Sequence, residues 1–179
     1  MRIAVVGAGA IGAYWGAAMQ RGGAEVHLIA RNAHLQAMRT NGVRVLSDRG
    51  DFVAYPHATD DPRDIGPVDY VFLGLKAHGY PSSGPLVNPL LGEHTAVLAA
   101  QNGIPWWYFH ELEGPYRGRR VEAVDPGGAT TAVFSPERAI GCVYWVATEV
   151  VAPGFVHHDG KLLRFPIGEP NGSSSPRLK

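Results

Sequence analysis

The sequence predicts an α/β fold built on a parallel, doubly wound sheet, and three observations carry that prediction. The apolar run Arg2-Ile3-Ala4-Val5-Val6 passes directly into Gly7-Ala8-Gly9-Ala10-Ile11-Gly12, which is the order strand, glycine turn, helix. Residues 69–75 form a nearly continuous apolar run, as a strand buried on both faces requires, and residues 95–100 repeat it. Between these runs lie stretches of helical periodicity closed by glycine. Together they describe a Rossmann-type domain over residues 1–168, extended past residue 119 by strands of mixed direction.

Each glycine of the first turn has a physical task. Gly7 permits the tight turn, Gly9 lets the backbone approach a pyrophosphate, and Gly12 lets the helix pack on the strand. That helix, from Ile11 to Arg21, is stopped by Gly22-Gly23, and residues 25–30 read as the second strand. A pyrophosphate would rest on the helix N-terminus, where free N–H groups and the helix dipole favour an anion. Gly7, Ala8, Gly9, Ala10, Ile11 and Gly12 are therefore the candidate cradle. Where the second strand ends, an NAD-binding unit carries an acid for the ribose 2′-OH. Here that place holds Arg31-Asn32, between the uncharged Ala30 and Ala33. A carboxylate would repel a 2′-phosphate, whereas a guanidinium forms charge-assisted bonds to it, so NADP(H) is expected over NAD(H). The plainer reading of Arg31 is a solvated loop cation.

Further along, a helix through His34, Leu35 and Met38 ends at Asn41-Gly42. Residues 42–47 and 51–55 alternate around Asp48-Arg49-Gly50 and read as a hairpin outside the parallel sheet. Residues 58–66 read as a turn-rich connector whose Asp60, Asp61 and Asp64 form a solvated acidic loop rather than a metal cluster. Lys76, Ala77 and His78 follow a buried strand, so they stand at the carboxyl end of a parallel sheet, where ligands bind. Pro81 fits the first turn of a helix running to Leu91, with disruption from Gly84 and Pro85. Gln101-Asn102-Gly103 marks the next carboxyl end. Lys76 and Asn102 thus reach the rim of the glycine turn, although a surface lysine and an Asn-Gly turn are the ordinary alternatives.

Residues 104–110 read as a helix start with a packing aromatic face. Residues 120–124, 139–151, 154–158 and 162–168 read as strands. His157 and His158 are adjacent in a strand and face opposite ways, so they cannot chelate one ion. Cys142 reads as an inert core thiol. Residues 169–179 form a polar linker that ends by announcing a helix, with Ser175-Pro176 and helix formers.

Composition bounds the rest. The 179 residues suit one domain, and 16 basic against 16 acidic residues leave no electrostatic footprint for nucleic acid or an anionic membrane. A single cysteine excludes an internal disulfide. No stretch is apolar for long enough to span a membrane, and strand one has no signal peptide ahead of it, so a cytoplasmic location is expected.

Several of these stretches in combination resemble the ketopantoate reductases (2-dehydropantoate 2-reductases). They are Gly7-x-Gly9-x-x-Gly12 with Arg31, Leu75-Lys76, Gln101-Asn102-Gly103, Val151-Ala-Pro-Gly-Phe-Val-His157 and Ile167-Gly168-Glu169. The resemblance implies NADPH-dependent reduction of a small 2-oxo acid, ketopantoate, to pantoate. Arg31 would carry the 2′-phosphate, with Lys76 and Asn102 near the nicotinamide and the substrate. It also implies a helical C-terminal domain that supplies the proton-donating lysine. These residues contain no such domain, so cofactor binding with negligible turnover is expected, and exposed apolar surface would favour a homodimer. A non-catalytic NADP(H)-binding or interaction module, and a reductase of another 2-oxo acid, are the alternative readings.

Overall fold

The computed structural model describes residues 1–179. The chain opens with β1 (Arg2–Val6), α1 (Ala10–Arg21), β2 (Glu25–Ile29) and α2 (Asn32–Asn41). It continues through β3 (Val43–Ser47), β4 (Phe52–Ala54), β5 (His57–Thr59) and β6 (Val68–Leu73). Then come α3 (Gly84–Val87), β7 (Leu91–Ala100), α4 (Ala129–Val133) and β8 (Ala139–Cys142). Strands β9 (Trp145–Ala152), β10 (Phe155–Arg164) and β11 (Ile167–Gly168) finish the fold.

The larger sheet has the order β11-β8-β7-β6-β1-β2-β5, parallel throughout except for β11 against β8. The chain winds outward from β1 to β5, then crosses back to β6 and winds the other way, which leaves a crevice between β1 and β6. Strand β1 shows why the sheet is covered on both faces. Ile3 and Val5 enter one apolar core, Ala4 and Val6 enter another, and all four are buried.

The first core holds α1 between this sheet and a second one of order β4-β3-β10-β9. Trp15 of α1 stacks on Phe72 of β6 with ring centroids 4.0 Å apart, while Tyr14 meets the His158 ring of β10 at 4.9 Å. Gly16 allows this close seating, since a Cβ there would lie 2.7 Å from Leu28. The second core is closed by an aromatic group, Tyr80, Trp106 and Phe134, with centroids 5.7 to 6.0 Å apart. Trp106 Nε1 donates to the Phe134 carbonyl at 3.1 Å, so the indole is fixed as well as buried.

Several expectations are corrected. Residues 57–59, inside the expected connector, form the edge strand β5, with Ala58 and Thr59 buried against β2. A three-residue strand is too short to show a period. The acidic residues that follow are structural: Asp64 accepts from the Thr59 hydroxyl, Asp61 from Arg63, and Asp60 pairs with Arg39. The helix expected from Pro81 contracts to α3 and a 3₁₀ turn at Asn88–Leu90, because Pro89 adds a third interruption to Gly84 and Pro85. Residues 104–110 form turns, since Trp106 is drawn into the second core. Residues 120–124 form turns as well, with Arg120 paired locally to Glu122. Helix α4, unread in the sequence, has its first turn tied to buried Asp125, which accepts from the Thr130 amide and the Thr131 hydroxyl. Finally, the run 139–151 divides: β8 joins the parallel sheet, and β9 leaves for the second sheet.

Candidate cofactor site

The glycine turn, Lys76 and Asn102 meet at one edge of the parallel sheet. Val6 pairs with Leu73 and Leu73 with Ala99, so Gly7 follows β1 directly, and Lys76 and Asn102 each lie three residues beyond paired positions. Adjacent parallel strands are about 4.8 Å apart, which places these residues along the mouth of the crevice in that order.

The three glycines divide by what a side chain would meet. Gly7 has φ +90°, and a Cβ there would lie 2.6 Å from the Leu75 side chain. At Gly12 a Cβ would come 2.3 Å from the Gly7 carbonyl oxygen, so helix and turn can approach only without it. Gly9 has ordinary φ (−74°) and open space, with nothing within 4 Å of a built Cβ. The fold itself therefore does not require glycine at position 9. The open space is on the side where a ligand could approach the backbone. The amides of Gly9, Ala10 and Ile11 meet no acceptor in the protein, and no acid stands in the first turn of α1. This combination fits a pyrophosphate.

Gly74 belongs to the same construction and was not singled out in the sequence. Its Cβ would lie 2.4 Å from the Gly7 oxygen and 3.0 Å from Gly12 Cα, so two backbones cross there without side chains. The glycine that breaks the apolar run of residues 69–75 was its signal.

Arg31 precedes α2 as its N-cap, exposed; its carbonyl accepts from the Leu35 amide at 3.2 Å, while its guanidinium has neither a hydrogen bond nor an ion pair to any protein group. Asn32 beside it has φ +55°, the one non-glycine residue in the left-handed region. Such strain concentrates at ligand sites. Lys76 and Asn102 are likewise exposed and unpaired. Beside Asn102 opens a cavity of about 400 Å³, whose lining includes Gln101, Gly103, Trp107, Cys142 and Ile167. Burial pushes the Cys142 thiol up to about 12, so it is inert there as expected. His157 and His158 do face opposite ways: His158 is buried against Ser47 at 2.8 Å, and His157 turns to Glu149. No group of three or more histidine, cysteine or acidic side chains is placed to hold a metal, and no helix is long and apolar enough to cross a membrane.

These features define a Rossmann-type α/β domain with an open cradle of backbone amides at its crevice. Residues 3–172 match the family described as ketopantoate reductase PanE/ApbA, and the chain belongs to that family. A 2-dehydropantoate 2-reductase from Mesorhizobium japonicum is 45% identical over 99% of this chain and 55% of its own length. A crystal structure of 2-dehydropantoate 2-reductase from Geobacter metallireducens superimposes with a TM-score of 0.78 at 35% identity, over 99% of this chain and 52% of that one. A Ralstonia solanacearum protein assigned to the ketopantoate reductases reaches 0.89 at 39% identity, over 99% of this chain and 55% of its own. The chain thus spans about half the length of the relatives it matches, and these residues form a mostly parallel α/β domain with a second, mixed sheet.

Proposed function

We propose that this chain is the NADPH-binding half of a 2-dehydropantoate 2-reductase, the enzyme that reduces ketopantoate to pantoate on the route to pantothenate. The observation that carries the cofactor choice is Arg31. It is an unpaired guanidinium at the end of β2, beside a cradle of open amides, with no carboxylate at the neighbouring positions to receive a ribose hydroxyl. Residues 7–12 would hold the pyrophosphate, and Arg31 the 2′-phosphate. Lys76 and Asn102 would flank the nicotinamide and the 2-oxo acid, where an ammonium and a carboxamide can each donate to the ketone oxygen. Bound NADPH would supply a hydride to the ketone carbon. The ketone oxygen then needs a proton, which in this family comes from a lysine of the helical half.

In this reading residues 1–168 form the cofactor domain, and residues 169–179 lead toward that second half. The chain alone binds cofactor and turns over negligibly. The cavity beside Asn102 favours one variation. Its largely apolar wall of Trp107, Leu112, Cys142 and Ile167 would also accept a 2-oxo acid bulkier than ketopantoate.

Calorimetric titration with NADPH and NADH, on the native chain and on Arg31→Ala, tests the cofactor assignment. NADPH should bind at least tenfold tighter than NADH, and the difference should vanish in the variant, in keeping with a charge-assisted contact of about 1.5–3 kcal/mol. Equal binding of both nucleotides by the native chain would refute it.

A further inference from the structure

We infer that His34 is a positioning residue for the pyrophosphate cradle, holding the Ala8–Gly9 peptide so that the Gly9 amide faces the nucleotide; the inference rests on the cofactor reading above. His34 lies in the first turn of α2. Its Nδ1 accepts from the Gly154 amide at 2.9 Å. A backbone amide can only donate, so Nδ1 carries no proton, and Nε2–H is left to donate to the Ala8 carbonyl at 2.8 Å. The amide of Ala8 itself donates to the Ile29 carbonyl at 3.1 Å, so this buried residue is held from both sides.

The consequence follows from peptide planarity. In a trans peptide the carbonyl and the next amide point in opposite directions, and this chain has no cis bonds. With the Ala8 oxygen drawn toward α2, the Gly9 N–H must point away from α2, and it meets no protein acceptor. Were that peptide to rotate, a carbonyl oxygen would face the pyrophosphate in place of a donor. The other end of the imidazole is equally fixed. Gly154 lies between β9 and β10 with φ +70°, and its Cβ position is 3.0 Å from Ala37 of α2. The second sheet therefore braces the cofactor turn through one imidazole.

Two substitutions separate the two bonds. The Asn side-chain oxygen reaches the place of Nδ1 and keeps the Gly154 bond alone. The Gln side-chain nitrogen reaches the place of Nε2 and keeps the Ala8 bond. Each variant is titrated with NADPH and with adenosine 2′-monophosphate, which has the Arg31 ligand but no pyrophosphate. His34→Asn should lose about tenfold in NADPH affinity, the worth of one hydrogen bond, and keep its affinity for the monophosphate. His34→Gln should stay within about twofold of the native chain for both ligands. Undiminished NADPH binding by His34→Asn, or parallel loss of both ligands, overturns the inference and leaves the cofactor reading standing. If His34→Asn does not fold, His34→Gln decides: NADPH affinity lost with monophosphate binding retained overturns it, and both retained supports it. A native chain that binds no NADPH overturns the cofactor reading, and this inference with it.

Discussion

Glycines at the crevice serve two masters, the fold and the ligand, and a methyl group tells them apart. At Gly74 and Gly12 the obstacle is the Gly7 carbonyl oxygen, a backbone atom that cannot rotate away. Gly74→Ala should therefore cost about 1–3 kcal/mol of stability, as overpacking does, and weaken NADPH binding as the turn shifts. Gly9→Ala meets nothing, at a φ that alanine adopts freely. Its stability should stay within about 0.5 kcal/mol of native while NADPH binding falls by more than tenfold. Urea unfolding alongside NADPH titration checks both, and equal behaviour of the two variants would contradict the division. Much of the site was legible in the sequence at this scale because glycine spacing and an acid replaced by Arg31 are local features. Gly74 and His34 were harder to read, since their partners, Gly7 and Ala8, lie far away along the chain.

At the scale of elements, β1, α1, β2, β6 and β7 were readable because each carries its own period or apolar run. The second sheet was only half visible. The β3–β4 hairpin announced itself by alternation, but its parallel pairing with β10 joins residues 43–47 to residues 155–158, and no local pattern records such a partner. The same limit explains why the run 139–151 read as one strand: its division at Val143-Tyr144 depends on which sheet each half can reach. The last element is held by charge. Arg177 bonds Glu169 through Nε at 2.7 Å and also reaches the Glu137 and Ala139 carbonyls, while Ser175 donates to the same carboxylate. Arg177 first, and Ser175 less, hold the Glu169 carboxyl below its ordinary 4.5. A folded-state value below the unfolded one means that the folded state binds fewer protons. This contribution is present above about pH 4.5 and is lost as pH falls through the depressed value. The protection of the Leu178 and Lys179 amides, expressed against their intrinsic exchange rates at each pH, should fall on acidification from that point. Glu169→Gln should show that reduced protection already at neutral pH, and a variant as protected as the native chain would remove the role given to this pair.

Across the whole molecule, the two sheets pack on opposite sides of α1, and the crevice lies at the carboxyl ends of β1 and β6. The chain carries every group proposed here to hold the cofactor and none proposed to protonate the product. Rate should divide accordingly. General acid catalysis is worth about 10²- to 10⁴-fold, and orientation between two closing bodies adds further to it. A groove of about 410 Å³ runs between α1, the end of β10 and the last residues of the chain, lined by Trp15, Met19, Leu163, Phe165 and Leu178. The expected outcome is that the chain alone, saturated with NADPH, oxidises it with ketopantoate at a rate near background. Fusion after Lys179 to the helical half of a 2-dehydropantoate 2-reductase should raise kcat by at least 10²-fold, with the NADPH dissociation constant changed far less. Stopped-flow absorbance of NADPH gives the first quantity and titration the second. Full turnover by the unfused chain would mean that Lys76 or another group at the crevice already donates the proton, and the division of labour proposed for the two halves would fall.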